Sequence, residues 1–445
     1  MKWIIYNLLF GAVWVFLLPG FLMRMARRGG YRARMGDRFA LYPDEVLAKL
    51  RSAKTAPMGE AKMDSSGHEV PPPSEWVWIH AVSVGEVQVA GQLMREWRAV
   101  EPDVRFCFST TSSTGWKMAE REVSERDVLI YNPLDFPNFV KSALGSVRPR
   151  AIVLTESEIW PVFIRAAAKR GIPLFLVNAR VSDRSAPRYR MARFFFKDVL
   201  SCFTRIFAQS DLDRDRLVAG GAPKEIVSVT GSFKFDVARR NEAKERELKG
   251  WLSAVKGRIL LGGSTWPGED EVLLRIVRSL DDVTLVIAPR HFEKADAVEA
   301  NIRAAGFGCV RRSRGDAARS DDGGRSVYLA DTTGELMGLY GVSDVVFVGK
   351  SLCEHGSQNM IEPCLCGKPT LVGPFTENFR PVMSDLKEGV AIIQVADEAE
   401  LAAEIRRLFE DADDAARLGA RATAAVLRRQ GVVRKCVDEI RESMR

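Results

Sequence analysis

From Trp76 onward, short apolar runs alternate with longer amphipathic ones, and no other property of this 445-residue chain restricts its fold as much. Strands are expected at Trp76–Ala81, Val104–Ser109, Asp127–Tyr131, Ala151–Thr155, Pro173–Asn178, Arg205–Ala208 and Ile226–Val229, with helical stretches such as Ile159–Lys169 and Arg188–Leu200 between them. After a charged helical connector, Asn241–Lys256, the alternation resumes at Ile259–Gly262, Thr284–Ala288, Gly308–Arg311, Val327–Ala330, Val345–Val348, Pro369–Val372 and Val390–Gln394. The tail Glu398–Met444 reads as helical. Strands that alternate with helices pair in parallel, with helices on both faces of the sheet. Two such α/β domains of similar size leave a cleft between them, the default ligand site.

Ahead of this pattern stands Trp3 to Met23, an apolar run broken only by Asn7, two glycines and Pro19, then Arg24, Arg27, Arg28, Arg32, Arg34 and Arg38 against the single Asp37. About 20 apolar residues suffice to span a bilayer, and the Arg cluster would stay on the cytoplasmic side. The same run can lie in the membrane interface, since Pro19-Gly20 interrupts it, or form a buried core helix. An N-terminal membrane-anchor helix on an anionic membrane surface is the expectation. The net charge of +7 is modest for this length and calls for no nucleic-acid partner. Residues 52–75 and 313–325 read as polar surface loops. Seven cysteines show no CxxC spacing and only four histidines are present, so no structural zinc is expected and a reducing compartment is simplest.

Four domain segments follow: a membrane anchor with basic flank over 1–30, a first sheet domain over 31–240, a second over 241–425, and a C-terminal helix over 426–445. In the first, Trp78-Ile-His-Ala-Val-Ser-Val-Gly-Glu86 runs from a strand through a turn bearing Ser83 and Gly85 to a carboxylate at a helix start. Ligands of open α/β sheets bind at such carboxyl ends of strands, where Glu86 suits proton abstraction; it equally suits a first-turn Glu that only complements the helix dipole. Ser109-Thr-Thr-Ser-Ser-Thr-Gly115, which includes Thr114, is a second hydroxyl-rich turn. Glu156 and Glu158 end another strand, and their alternation means that one can face the crevice without the other. Arg180, Arg184 and Ser185 follow the next strand and suit an anionic acceptor or a solvated basic loop. Lys234, in Gly231-Ser-Phe-Lys-Phe-Asp236, stands where the first domain hands over to the second.

In the second domain, Gly262-Gly-Ser264-Thr-Trp-Pro-Gly-Glu-Asp270 offers backbone N–H groups to an anion. Pro289, Arg290 and His291 end the next strand, and Gly349-Lys-Ser leads to Asn359, Met360, Ile361 and Glu362 at a helix start. A loop donor for phosphate, a strand-end Arg and a Glu able to accept from ribose hydroxyls make a nucleotide site. Neither a P-loop nor a dinucleotide fingerprint is present, which argues against NTPase or dehydrogenase chemistry.

These residues, together with Gly334-Glu-Leu336, resemble the 3-deoxy-D-manno-octulosonic acid (Kdo) transferases nearly end to end. The resemblance implies two Rossmann-like domains facing a cleft (a GT-B type fold) and an inverting glycosyltransferase on the cytoplasmic face of the cell inner membrane. It would move Kdo from CMP-Kdo to a lipid A precursor in lipopolysaccharide synthesis. The resemblance assigns Glu86 as general base and Glu156 and Lys234 to transition-state stabilisation. CMP contacts fall on Pro289, Arg290, Thr333, Gly334, Glu335 and Asn359 through Glu362, and no metal or cofactor is implied beyond the donor. The chain departs from the family pattern at Glu354-His-Gly-Ser-Gln358, at Lys350, where a second Gly is common, at Met360, where Pro is usual, and in the long 52–75 insertion. A UDP-sugar transferase and a catalytically idle membrane scaffold are the competing readings.

Overall fold

The computed structural model describes residues 2–3, 6–8, 10–12, 16, 20, 32–52, 74–238, 240–255, 257–315 and 325–444. It divides into two compact units, Met1–Phe233 with Gly431–Arg445, and Lys234–Gln430. Both are parallel sheets of seven strands.

In the first unit the strands are β1 (Trp76–His80), β2 (Arg105–Thr110), β3 (Val128–Tyr131), β4 (Ala151–Thr155), β5 (Leu174–Ala179), β6 (Arg205–Ala208) and β7 (Val227–Val229), in the order β3-β2-β1-β4-β5-β6-β7. Alternation along β1 explains the two cores. Trp76 and Trp78 pack on one face with Leu154 and Phe163, while Val77 and Ile79 pack on the other with Leu93 and Phe108. A sheet buried on both faces needs near-continuous apolar strands, as the sequence supplies. The last helix of the chain, Val432–Ser443, returns to this unit and adds Val433, Val437 and Ile440 to the second of these cores.

The second unit holds β8 (Arg258–Thr265), β9 (Val283–Pro289), β10 (Gly308–Arg311), β11 (Ser326–Leu329), β12 (Val345–Val348), β13 (Thr370–Val372) and β14 (Ile393–Gln394), ordered β10-β11-β9-β8-β12-β13-β14. Alternation works here too: Val346 and Val348 enter one core, and Val345 and Phe347 enter the other.

The expected anchor over 1–30 lies mostly outside the described residues, as do most of the 52–75 and 313–325 loops. The described N-terminal residues are helical, yet among the described residues no helix is long and apolar enough to cross a membrane. A spanning helix thus finds no support. Trp3 and Tyr6 instead pack on Phe195 at ring separations of 4.9 and 5.4 Å, and Phe10 packs on Phe136 at 5.2 Å. Two arginines of the cluster that follows the apolar run also turn inward. Arg34 pairs with buried Asp37, and Arg38 donates to Thr111 O at 2.6 Å and lies 4.5 Å over the Tyr131 ring.

Candidate functional site

Strand order places the chemistry. In the first sheet the chain runs outward from β1 to β2 and β3, then crosses back to β4 beside β1. Open sheets bind ligands outside the carboxyl ends of the strands at this switch point. Glu86 follows β1 and Glu156 follows β4, so the two expected carboxylates flank it.

Ser83 caps the helix Val84–Val100 by accepting from Glu86 N at 3.2 Å. The Glu86 carboxylate folds back over the same turn: Oε1 accepts from the Ser83 hydroxyl (2.8 Å), and Oε2 accepts from Val82 N–H (3.0 Å) and the Thr155 hydroxyl (3.3 Å). This resembles a capping box, the helix-end role weighed from the sequence, with Thr155 of β4 added. Glu86 is 9% exposed. Each carboxylate oxygen can accept two bonds, so Oε1 keeps one acceptor site for an incoming hydroxyl. The neighbouring turn is drawn in tightly. Ser112 donates to Val82 O at 2.8 Å, and a Cβ on Gly115 would stand 2.7 Å from that carbonyl and 2.5 Å from Thr110 Oγ1. Thr114 is exposed beside it, with its hydroxyl 3.4 Å from Ser112 Oγ.

Glu156 has a left-handed backbone (φ 51°), as does Asn178 (φ 53°) at the end of β5. Arg180 Nε lies 2.8 Å from Glu156 Oε2, and the Asn178 amide donates to Oε1 at 3.4 Å. Arg180 thus pairs with Glu156 while half of its side chain stays exposed. Glu158 faces elsewhere: it accepts from Trp160 Nε1 at 3.0 Å and lies 3.6 Å from Nε2 of the fully buried His80. His80 Nδ1 lies 3.1 Å from Ser109 O and 2.9 Å from Ser109 Oγ, and Nε2 faces Glu158 without a hydrogen bond. The Ser185 hydroxyl accepts from the Ser182 hydroxyl at 2.9 Å, a bond within the same turn.

In the second unit the switch point lies between β8 and β12, with β9 on the far side of β8. Ser264 (φ 55°) and Lys350 (φ 58°) are again left-handed at these two strand ends. A Cβ on Gly349 would lie 2.3 Å from Ser264 O, so glycine lets the two turns meet. The sequence reading missed the group between them. Fully buried Glu269 accepts from Trp266 N and Lys350 N through Oε2 (2.9 and 2.8 Å), and from Ser351 N and Leu352 N through Oε1 (3.0 and 3.1 Å). Of the turn read from the sequence as offering N–H groups to an anion, Trp266 N–H is thus taken by an internal carboxylate. The only local hint was an acidic residue directly after Gly268 at a helix start.

Arg290 is exposed, and its main chain prolongs the sheet by donating to Thr265 O at 3.0 Å. His291 bonds Glu293 at 3.0 Å and packs edge-on to Trp266. Thr333 and Gly334 are exposed, but Glu335 is buried and bonded to Arg312 (3.0 and 3.2 Å) and Thr332. Burial opposes its ionisation, yet those bonds and the Arg312 charge win and hold its carboxyl below the ordinary value. Asn359 donates to Glu362 Oε1 at 2.9 Å; burial raises the Glu362 pKa, which that bond only partly offsets. Met360 and Ile361 side chains are fully buried, leaving only their main chain for a ligand. Lys234 Nζ lies 4.1 Å over the Phe379 ring and 3.4 Å from Asn378 O. Among the described residues no group of three or more His, Cys, Asp or Glu is placed to hold a metal ion.

Comparison with known proteins follows this geometry. A family model described as 3-deoxy-D-manno-octulosonic-acid transferase (kdotransferase) matches residues 33–237, and one described as glycosyl transferases group 1 matches residues 325–425. The chain is similar to the 3-deoxy-D-manno-octulosonic acid transferase of Haemophilus influenzae, with 31% identity over 82% of this chain and 87% of that protein. It is 30% identical to the bifunctional glycosyltransferase/methyltransferase of Fusobacterium nucleatum over 70% of this chain, spanning about half (49%) of that longer protein. Among solved structures, Anabaena HepE in complex with UDP shares the fold, with a TM-score of 0.57 at 14% identity over 83% of this chain and 99% of that one.

Proposed function

The chain belongs to the 3-deoxy-D-manno-octulosonic-acid (Kdo) transferase family of glycosyltransferases, and from that premise we propose that it transfers Kdo from CMP-Kdo to a lipid A precursor with inversion at the anomeric carbon. The observation that carries the residue assignments is the placing of Glu86 and Glu156 on either side of one switch point. In this reading Glu86 takes the proton of the acceptor hydroxyl at the free site of Oε1. Ser83, Val82 and Thr155 fix the direction in which that oxygen presents itself. Glu156, held by Arg180 and Asn178, supports the charge that develops on the sugar. The departing cytidylate is met by Arg290, by Lys234 and by main-chain N–H groups at the turns after β9 and β11, groups able to stabilise a developing negative charge. Glu362, held by Asn359, accepts from the ribose hydroxyls.

We place the protein on the cytoplasmic face of the inner membrane. Exposed Arg184, Arg188, Arg190 and Arg193 stand beside exposed Met191 and Phe194, a mixture suited to an anionic lipid surface.

The test is mass spectrometry of a lipid A precursor incubated with CMP-Kdo and the protein, with and without Glu86→Gln. The parent should add Kdo, CMP should inhibit and UDP should not. The variant should lose about 2 to 4 orders of magnitude in turnover. No added Kdo with the parent would sink the reading, and near-normal turnover of Glu86→Gln would remove Glu86 as base.

A further inference from the structure

Lys350 is a cation in a backbone conformation that lysine disfavours. At φ 58° it occupies the left-handed region that glycine enters freely, and a lysine there carries strain on the order of 1 kcal/mol. The conformation is fixed, because its N–H donates to Glu269 Oε2 at 2.8 Å. Its Nζ lies 4.5 Å over the Trp266 ring, and His291 packs on Trp266 edge-on with ring centroids 5.2 Å apart. Trp266 follows β8 and Lys350 follows β12, the two strands that flank the switch point of this sheet. Among the described residues neither Lys350 nor Arg290 has a carboxylate partner.

A strained residue held in place by a buried carboxylate, with its ammonium parked on an aromatic face at the strand ends, has the marks of a residue kept for a ligand. We infer that Lys350, steadied by Trp266, contacts the phosphate of the nucleotide donor. It thereby adds a charge that a glycine at this position would not supply. This rests on the nucleotide-sugar reading above and extends it to a residue that reading does not use.

The experiment is calorimetric titration of the full chain and of Lys350→Gly and Lys350→Met with CMP and with cytidine. Glycine relieves the backbone; methionine keeps the strain and removes the charge. Both variants should bind CMP about tenfold more weakly, the loss expected for one charge-assisted contact, while cytidine affinity stays unchanged. Unchanged CMP affinity, equal losses for CMP and cytidine, or a loss with glycine but not methionine would each overturn the assignment. If the parent binds UDP and not CMP, it is the donor assignment that fails. The same variants titrated with UDP and uridine then test Lys350 by the same criteria.

Discussion

Asp270 lies in the first turn of the helix Glu269–Arg278, 4% exposed, with Oδ1 unpartnered. Burial pushes its carboxyl up to about 7; Thr265 opposes this, and the charges of Glu271 and Glu269 add to it. A carboxyl whose folded value exceeds its unfolded value binds its proton more tightly when folded. Its contribution to stability is complete below about pH 4 and disappears as pH rises through about 7. Asp270→Asn, which cannot ionise, should therefore raise the unfolding temperature by a few degrees at pH 8 and leave it nearly unchanged at pH 4.5. Scanning calorimetry at both pH values checks this, and equal shifts at both would contradict it. At this scale the sequence was informative about which side chains stand at strand ends and silent about what they touch. Glu156 was legible because it directly follows an apolar run, and Glu86 because a short Gly-bearing turn leads from such a run to it. The pairing of Arg180 with Glu156 was not, because it joins residues on two strands whose adjacency only the folded sheet establishes.

The strands were legible to within a few residues, since a short near-continuous apolar run is a local property of the sequence. All fourteen expected strands form, with ends displaced by a few residues, as at β8 and β14. The stretch Arg188–Leu200 reads as one helix but turns at Ala192 (φ −95°, ψ 24°), where Tyr189 stacks on Phe196 at 4.3 Å. The turns after the strands were less legible, because long-range bonds build them. Glu269 anchors a loop 81 residues onward by taking the N–H groups of Lys350, Ser351 and Leu352. Glu269→Gln replaces one acceptor oxygen with an NH₂ group and leaves two of the four N–H groups it holds, those of Trp266 and Lys350 or those of Ser351 and Leu352, unsatisfied, at a cost of about 1–3 kcal/mol each. Amide exchange at Lys350–Leu352 should quicken at least about tenfold, and CMP affinity should fall with it. Unaltered protection of those amides would show that the loop holds itself.

At the scale of the whole chain, sequence order and spatial order diverge most at the tail. The helix Ala412–Arg428 belongs to the second unit, Gly431 turns through φ 87°, and Val432–Ser443 rejoins the first. A helical tail was legible from its apolar periodicity, but not the unit it would cover, because periodicity reports that a face is buried and not against what. Val433, Val437 and Ile440 are fully buried in the core that also holds Val87, Leu93 and Met94 of the helix Val84–Val100, and Arg441 Nε donates to Glu101 Oε2 at 3.3 Å. The helix that begins at the Glu86 turn thus leans on residues roughly 350 positions later in the chain. Ile440→Ala should destabilise the first unit by about 2–5 kcal/mol, the usual cost of emptying such a site. Hydrogen exchange localises the effect: amides of Val84–Val100 should lose protection while those of Glu269–Arg278 keep theirs. Loss confined to Glu269–Arg278 would mean that the tail supports the second sheet instead, and the link from the C-terminus to the Glu86 turn would be wrong.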